Sequence, residues 1–273
     1  MSNHSLPLSV VSVSGEDAIT FLQGQLTQDI ANLNKQWKYA AQCSPQGRVI
    51  AFFIVFEHQN NIYLITDDRS CQQTLTQLEK YVMRSKVSFD VLDQSAFFVD
   101  KPANAEEIEG QHVEFNNGVI SLQQSYGDLL ICSDEQATNL ETSSENLWRQ
   151  ANIKNKLAFP VGKALGKFTP EAINLDLAGA ISFTKGCYTG QEIVARMHYL
   201  GKAKKRLFFA TIIGKLDNIR GGDNITDKEG KTIGHLVNFE DGGSALISIK
   251  VTEEPTLNKS KKTIQSINGE LLL

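Results

Sequence analysis

Cysteine is scarce in this chain, and long hydrophobic runs are absent from it. The 273 residues include four scattered cysteines, Cys43, Cys71, Cys132 and Cys187, with no C-x-x-C pair among them. This spacing argues against a disulfide framework and against a self-contained zinc or iron–sulfur site, so no metal site is expected. The longest apolar run, Val49–Phe56, is far too short to span a bilayer, and we expect no membrane association.

Neither sign of charge is in large excess. Lysine and arginine total 27 and aspartate and glutamate total 31, which gives a formal net charge of -4. This balance predicts solubility and excludes a global attraction to nucleic acid. The polar segment Met1–Val13 has no basic region leading into an apolar run, so we expect no secretory signal. A cytoplasmic protein is therefore expected, and a monomer, because no apolar stripe is evident.

The periodicity of apolar residues predicts an α+β chain. Helical spacing predicts helices over Glu16–Gln23 with Ser14 as cap, over Ser70–Arg84 with Ser70 as cap, and over Ser144–Asn152. Alternating runs on either side of an Asn-Asn-Gly turn in "HVEFNNGVISL" predict a β-hairpin. After Gly201, short strands separated by glycine-rich turns predict a small all-β module, either a barrel or a sandwich.

The stretch "KGCYTGQE", Lys185–Glu192, places one cysteine directly before a predicted helix. Thr189 and Glu192 have the spacing of a capping box, and Gly201 follows the expected end of the helix. Cys187 would then lie near the positive end of the helix dipole with Lys185 close by, and both features favour the thiolate. The alternative is an inert buried filler, as most free cysteines are.

The residues around this stretch resemble a known family. "KGCYTGQEIVARMHYLGKAKKRL" is similar to the signature of the YgfZ family of folate-binding proteins, relatives of the aminomethyltransferase of the glycine cleavage system. "GEDAITFLQGQLTQDI", "SPQGRVIAFF" and "FTPEAINLDLAGAISF" resemble other segments of that family. The resemblance implies an aminomethyltransferase-like folate-binding fold, with an α+β core over residues 1–200 and a small C-terminal β-barrel over residues 201–273. The core would contain two intertwined subdomains around a central opening, the smaller over roughly 88–145.

The resemblance also implies a function. The family binds tetrahydrofolate or a derivative and supports iron–sulfur cluster assembly or repair in client enzymes, including radical enzymes that thiomethylate tRNA. Carried onto this chain, Cys187 and Lys185 become the catalytic residues, and Gln191 and Glu192 belong to the cofactor's setting. Trp148 falls where the family places an aromatic residue beside folate, although a core anchor is the alternative.

Arg48 is a further candidate for cofactor binding. Its guanidinium suits a charge-assisted contact with the glutamate tail of folate, and the alternative is a solvated charge at a strand end. The basic stretch Lys202–Arg206 and the residues Lys259, Lys261 and Lys262 could contact tRNA phosphates. No aromatic interleaving accompanies them, so solvated surface is the better interpretation and the effect on tRNA is expected to be indirect.

Two departures from the transferases bear on enzymatic activity. The aminomethyltransferases carry an aspartate pair just after the glycine-rich strand start, where this chain has Ala51 and Phe52. Their Arg-x-Glu-x-Gly segment has its nearest match in Asn152–Asn155, which lacks the carboxylate. These departures argue against a classical aminomethyltransferase. A folate-dependent one-carbon transferase is nevertheless the alternative function, and an interaction module with an inert pocket is a third.

Overall fold

The computed structural model describes residues 5–101, 111–201, 203–213, 219–227, 229–251, 263–266 and 269–272. The basic residues Lys202, Lys259, Lys261 and Lys262 lie outside these ranges. The chain divides into two compact units, each built from separated segments. The first unit consists of Met1–Gln42, Ala51–Ala151 and Ala180–Tyr188, and the second consists of Cys43–Ile50, Asn152–Gly179 and Thr189–Leu273.

A five-stranded sheet forms the centre of the first unit. Its strands are β1 (Leu8–Ser14), β2 (Lys38–Cys43), β3 (Val49–His58), β4 (Asn61–Asp67) and β5 (Ser88–Val91), in the order β2-β3-β4-β1-β5. The helices α1 (Ala18–Gln25) and α2 (Asp68–Glu79) contribute Phe21, Leu22, Leu75 and Leu78 to the same buried cluster as β3 and β4. Strand β3 is buried on both faces over most of its length, which explains its nearly continuous apolar sequence.

The first unit also contains a four-stranded antiparallel sheet. Its strands are β6 (Ser95–Asp100), β7 (His112–Asn116), β8 (Val119–Gln123) and β9 (Gly127–Cys132), in the order β6-β9-β8-β7. The predicted hairpin is confirmed, because β7 and β8 pair around Asn117 and Gly118, which both have positive φ. The short helix α3 (Asp134–Ala137) follows, and α4 (Glu145–Lys154) confirms the predicted helix that carries Trp148.

The second unit is mainly β structure. Its strands are β10 (Lys205–Ile213), β11 (Asn224–Thr226), β12 (Thr232–Phe239), β13 (Ser244–Lys250), β14 (Thr263–Ser266) and β15 (Gly269–Leu272). They follow the order β10-β13-β12-β11-β14-β15, and β15 pairs with β10, so the sheet closes on itself. Ala210, Ile225, Leu236, Ile247 and Ile249 belong to the cluster that fills its interior. The same unit contains helix α5 (Gln191–Leu200) and the 3-10 turn Pro170–Ile173.

Two predicted helix caps are wrong. Helix α1 begins at Ala18 rather than near Ser14, because the chain first turns at Gly15, where φ is +113°. Helix α2 begins at Asp68, two residues before Ser70, because the Asp68 amide already donates to the carbonyl of Pro7 at 3.0 Å. Within the described residues, no helix is both long enough and apolar enough to cross a membrane.

Candidate functional site around Cys187

Cys187 is exposed, whereas the other three cysteines are buried. Burial raises the pKa of the Cys43 thiol to about 12, and the Glu171 carboxylate adds to the effect. Burial likewise raises the pKa values of Cys71 and Cys132. The interpretation of Cys187 as a buried filler is therefore wrong, and thiol chemistry with a solvent-borne reagent or partner is confined to Cys187.

Lys185 reaches inward from the loop that presents Cys187. Its Nζ atom donates hydrogen bonds of 2.7 Å to three backbone carbonyls, those of Gln23, Leu26 and Gln28. Burial lowers the pKa of Lys185 to about 8, and the nearby Asp29 carboxylate opposes that shift. At neutral pH the side chain is therefore mostly ammonium, whose three protons match the three carbonyls. In this arrangement all three protons are directed at the backbone.

The three carbonyls are available because α1 ends beside them. The last carbonyls of a helix have no partner within the helix and need donors from elsewhere. Gln23 supports the same segment, since its Oε1 accepts from the Ile30 amide at 2.7 Å and its Nε2 donates to Asp29 at 2.9 Å. The segment from Gln23 to Gln28 thus accepts hydrogen bonds from the Lys185 ammonium, which follows it by 157 to 162 positions in the chain.

Thr27 joins the same two segments a second time. Its Oγ1 donates to the carbonyl of Ala180 at 2.7 Å, and its own carbonyl accepts from the Ser182 amide at 2.9 Å. The Lys185 ammonium also lies 5.2 Å from the centre of the Tyr188 ring, and Tyr188 is itself buried. Residues on both sides of Cys187 are therefore held in place within the first unit, while the thiol remains exposed.

The predicted capping box at Thr189 and Glu192 is wrong. Helix α5 begins at Gln191, its N-cap residue is Gly190 with φ of +83°, and no side chain caps it. A Cβ atom at Gly190 would lie 2.4 Å from the Ser44 carbonyl oxygen, so glycine is required both for the conformation and for the close approach. Glu192 instead forms an exposed ion pair of 3.0 Å with Arg196, one turn along the helix.

The turn that carries Arg48 packs against the first turn of α5. A Cβ atom at Gly47, where φ is +68°, would lie 2.8 Å from Cγ2 of Ile193. Arg48 is exposed and its Nη1 donates to the carbonyl of Lys167 at 2.9 Å. The structure thus brings together the segments that carry three of the predicted cofactor-binding residues, Arg48, Gln191 and Glu192. Neither glycine contact is evident from the sequence, because the two segments are far apart along the chain.

Two curated relatives of this chain share a name. It is 30% identical over 229 residues to the tRNA-modifying protein YgfZ of Hamiltonella defensa, which covers 74% of this chain and 67% of that protein. It is 30% identical over 224 residues to the tRNA-modifying protein YgfZ of Vibrio atlanticus, with coverage of 76% and 68%. The chain belongs to the YgfZ family. No protein-family model matches it.

The fold of this YgfZ-family chain is shared with a solved transferase. The aminomethyltransferase T of the glycine cleavage system from Bartonella henselae matches with a TM-score of 0.68, covering 99% of this chain and 84% of that one. The identity of 13% makes this a likeness of fold alone. Both the family resemblance and the predicted α+β, aminomethyltransferase-like fold are confirmed.

The positions that depart from the transferase pattern are apolar in this YgfZ-family chain. Ala51 is 1% exposed and belongs to the main buried cluster, while Phe52 stacks on Tyr39 with ring centres 5.6 Å apart. Trp148 is 7% exposed on α4, so it is largely buried. Within the described ranges, no group of three or more histidine, cysteine, aspartate or glutamate residues is arranged to hold a metal ion.

Proposed function

We propose that this chain is a cytoplasmic, monomeric folate-binding accessory protein that supports iron–sulfur cluster assembly or repair in enzymes, including those that modify tRNA. Membership of the YgfZ family and the aminomethyltransferase-like fold support this proposal. Residues 1–200 would form the folate-binding core, and residues 201–273 a C-terminal β-barrel domain. The single observation that carries the proposal is the exposed Cys187 thiol on a loop fixed by Lys185.

In this proposal Cys187 is the residue that reacts with the client iron–sulfur enzyme or with its cluster. An exposed thiol on an anchored loop can ligate iron, or accept the outer sulfur of a persulfide donor that leaves as a thiol. It can also attack a sulfenic acid of the client to form a disulfide with release of water, because its position is set before the partner arrives. Lys185 positions the loop through its hydrogen bonds to three backbone carbonyls rather than by exchanging protons with a substrate. The effect on tRNA is indirect, through a modifying enzyme.

Tetrahydrofolate or a derivative is the proposed cofactor. Trp148 would supply its stacking face, and Arg48, Gln191 and Glu192 would contribute polar contacts. A flat pterin needs both an aromatic or apolar face and complementary polar groups. The alternative, a folate-dependent one-carbon transferase, rests on the fold alone, and the apolar Ala51 and Phe52 disfavour it because they offer no carboxylate for acid–base chemistry.

A fluorescence titration tests folate binding. The chain has two tryptophans, so titrating 5-formyltetrahydrofolate into the wild type, Trp148→Phe and Trp37→Phe assigns any quenching. Trp37 is the matched control, because it is 2% exposed and its Nε1 donates to the Gln123 carbonyl at 2.8 Å. We expect saturable quenching in the wild type and in Trp37→Phe that is lost in Trp148→Phe. No binding by fluorescence or calorimetry would refute the folate proposal.

A separate experiment tests the thiol. Cells that lack their own YgfZ protein would carry the wild type, Cys187→Ala or Cys71→Ala, and thiomethylated tRNA would be quantified by mass spectrometry. We expect Cys187→Ala to abolish support although the protein accumulates normally, and Cys71→Ala to retain it. Full tRNA modification in cells with Cys187→Ala would eliminate the proposed role of the thiol.

A further inference from the structure

Four cationic side chains of the second unit gather on one surface, and three of them have no part in the site described above. The four side chains are those of Arg48, Lys167, Lys205 and Lys250, and we call them the cationic cluster. His235 lies among them. Arg48, Lys167 and Lys250 are exposed, and Lys205 and His235 are half-buried. The cluster stands out in a chain whose formal net charge is -4.

The register of the strands places three of these residues on one face. Lys205 lies directly opposite Lys250 in the antiparallel pair β10–β13, and His235 lies opposite Ser248 in the pair β12–β13. Residues opposite each other, and residues two apart in one strand, point to the same side of a sheet. Because Ile247 and Ile249 point into the buried interior, Lys205, Lys250 and His235 are on the outer face.

Two short contacts add the other cations to that face. The Arg48 guanidinium donates to the backbone carbonyl of Lys167 at 2.9 Å, and the Lys167 ammonium donates to the carbonyl of Gly222 at 2.5 Å. Phe168 follows Lys167 in the chain, and the centre of its ring lies 6.0 Å from the centre of the His235 ring. The turn with Arg48, the segment with Lys167 and the outer face of the strands therefore form one continuous surface.

The cations of the cluster affect one another. Burial lowers the pKa of Lys205, and the charges of Arg48 and Lys250 lower it further. Burial also lowers the pKa of His235, and Lys205 and Lys167 contribute to that shift. Like charges placed directly opposite in neighbouring strands are destabilising. The cluster thus reduces stability in the absence of an anion.

None of the four cations of the cluster forms an ion pair with a carboxylate in the part of the chain that the structure describes. Ion pairs there are formed by other cations, namely Arg69, Lys86, Lys101, Arg149, Arg196 and Arg206. Arg48 and Lys167 instead donate to backbone carbonyls, which carry no full charge. A multiply charged oxyanion is the chemical group that would neutralise several cations at once.

We propose that the cationic cluster binds a phosphate group. A guanidinium presents a planar fork of donors that matches phosphate oxygens, and ammonium groups add point charges around it. A phosphate monoester carries up to two charges, and a nucleic-acid backbone brings one charge on each of several neighbouring phosphates, so either offsets more of the repulsion than one carboxylate does. Either a small phosphorylated compound or the backbone of a nucleic acid could supply the group, and the two sources are separable by experiment.

The test compares two charge-matched double variants of the full chain. Lys167→Met/Lys205→Met removes two cations of the cluster and keeps Arg48. The control, Lys35→Met/Lys80→Met, removes two exposed lysines of the first unit, and Lys80 bonds only a neutral glutamine, Gln77, at 3.0 Å. Calorimetry with pyrophosphate at constant low ionic strength should show binding by the wild type and the control, weakened at least tenfold in the cluster variant.

A second measurement identifies the source of the phosphate. Fluorescence anisotropy of a labelled 12-nucleotide single-stranded RNA would be followed from low to physiological salt for all three proteins. RNA binding that weakens in the cluster variant, with a shallower dependence on salt, assigns the phosphates to nucleic acid. Pyrophosphate binding without RNA binding assigns a small compound. If the wild type binds neither probe, or if the cluster variant binds both as tightly as the control does, the proposal is overturned.

Thermal unfolding separates loss of binding from loss of fold. Removing two like charges should offset the loss of the hydrogen bond from Lys167 to the Gly222 carbonyl, so the melting temperature of the cluster variant without ligand should stay close to that of the wild type. Pyrophosphate should then raise the melting temperature of the wild type and the control but not that of the cluster variant. Folate binding is measured at Trp148 and does not depend on the outcome, so this proposal and the proposed function can fail separately.

Discussion

The Lys185 ammonium donates a 2.7 Å hydrogen bond to the backbone carbonyl of Gln28, which lies 157 positions earlier in the chain. Two further carbonyls, those of Gln23 and Leu26, accept from the same nitrogen atom. The loop that presents Cys187 is thereby fixed to the end of α1. The thiol's setting depends on this long-range contact as much as on the residues next to it in sequence.

Replacing Lys185 with methionine should destabilise the protein. The substitution keeps the apolar stem but leaves three carbonyl groups near Lys185 without their donor. Because the cost of burying the ammonium is relieved at the same time, we expect a loss of about 1–3 kcal/mol in the free energy of unfolding. Urea denaturation measures this loss. Where the variant still folds, alkylation of Cys187 under native conditions should change in rate, because its loop has lost its anchor.

Lys163→Met is the control for Lys185→Met, because Lys163 is exposed in the 3-10 turn Gly162–Ala164. We expect its free energy of unfolding to lie within about 0.5 kcal/mol of the wild-type value. If Lys185→Met unfolded at the same urea concentration as this control, the three hydrogen bonds of Lys185 would not stabilise the protein. That result would contradict the role of Lys185 in anchoring the loop.

Native thiol labelling should modify one cysteine per chain. Cys187 is exposed, whereas burial raises the pKa values of Cys43, Cys71 and Cys132 above the ordinary thiol value. Iodoacetamide at pH 8, followed by peptide mass spectrometry, should place a single adduct on Cys187, and the remaining thiols should react after denaturation. Labelling of Cys187→Ala at the same stoichiometry as the wild type would contradict this expectation.

Much of the fold was accessible from the sequence because its signals are local. The Asn-Asn-Gly turn specified the β7–β8 hairpin, and helical spacing located α4. The caps were predicted less well, since Asp17 and Asp67 precede α1 and α2 without side-chain capping bonds. The turn at Gly15 decides where α1 begins, and a long-range contact, from the Asp68 amide to the Pro7 carbonyl, lies at the start of α2.

The candidate site was predictable in its residues but not in its geometry. The resemblance singled out Lys185 and Cys187, and periodicity correctly placed a helix after them. The three carbonyl partners of Lys185 come from a different part of the chain, so no local pattern reveals them.

Two glycines of the motif should respond very differently to alanine. At Gly190, where φ is +83°, an added Cβ would lie 2.4 Å from the Ser44 carbonyl and 3.0 Å from Cβ of Cys43. Both strain and overlap oppose it, so we expect Gly190→Ala to lower the free energy of unfolding by about 2–4 kcal/mol. Gly186 has ordinary φ and no atom within 4 Å of the added Cβ, which makes Gly186→Ala the matched control. Equal denaturation midpoints for the two variants would disprove the close packing at Gly190.

Glu171→Gln should stabilise the protein in a pH-dependent way. Glu171 is 1% exposed, and burial raises its pKa above 4.5, although the charge of Arg206 and a contact with Thr169 oppose the shift. The folded state therefore holds this proton more tightly than the unfolded state does, so the wild type loses stability as the pH rises from the unfolded-state pKa through the folded-state pKa. Glutamine carries no charge, so the free energy of unfolding of the variant should exceed that of the wild type by about 1 kcal/mol at pH 8. This gain in stability should shrink towards pH 4.5. Urea denaturation at both pH values, with the exposed Glu79→Gln as control, measures the difference; a gain of the same size at both pH values would show that the buried charge is not its cause.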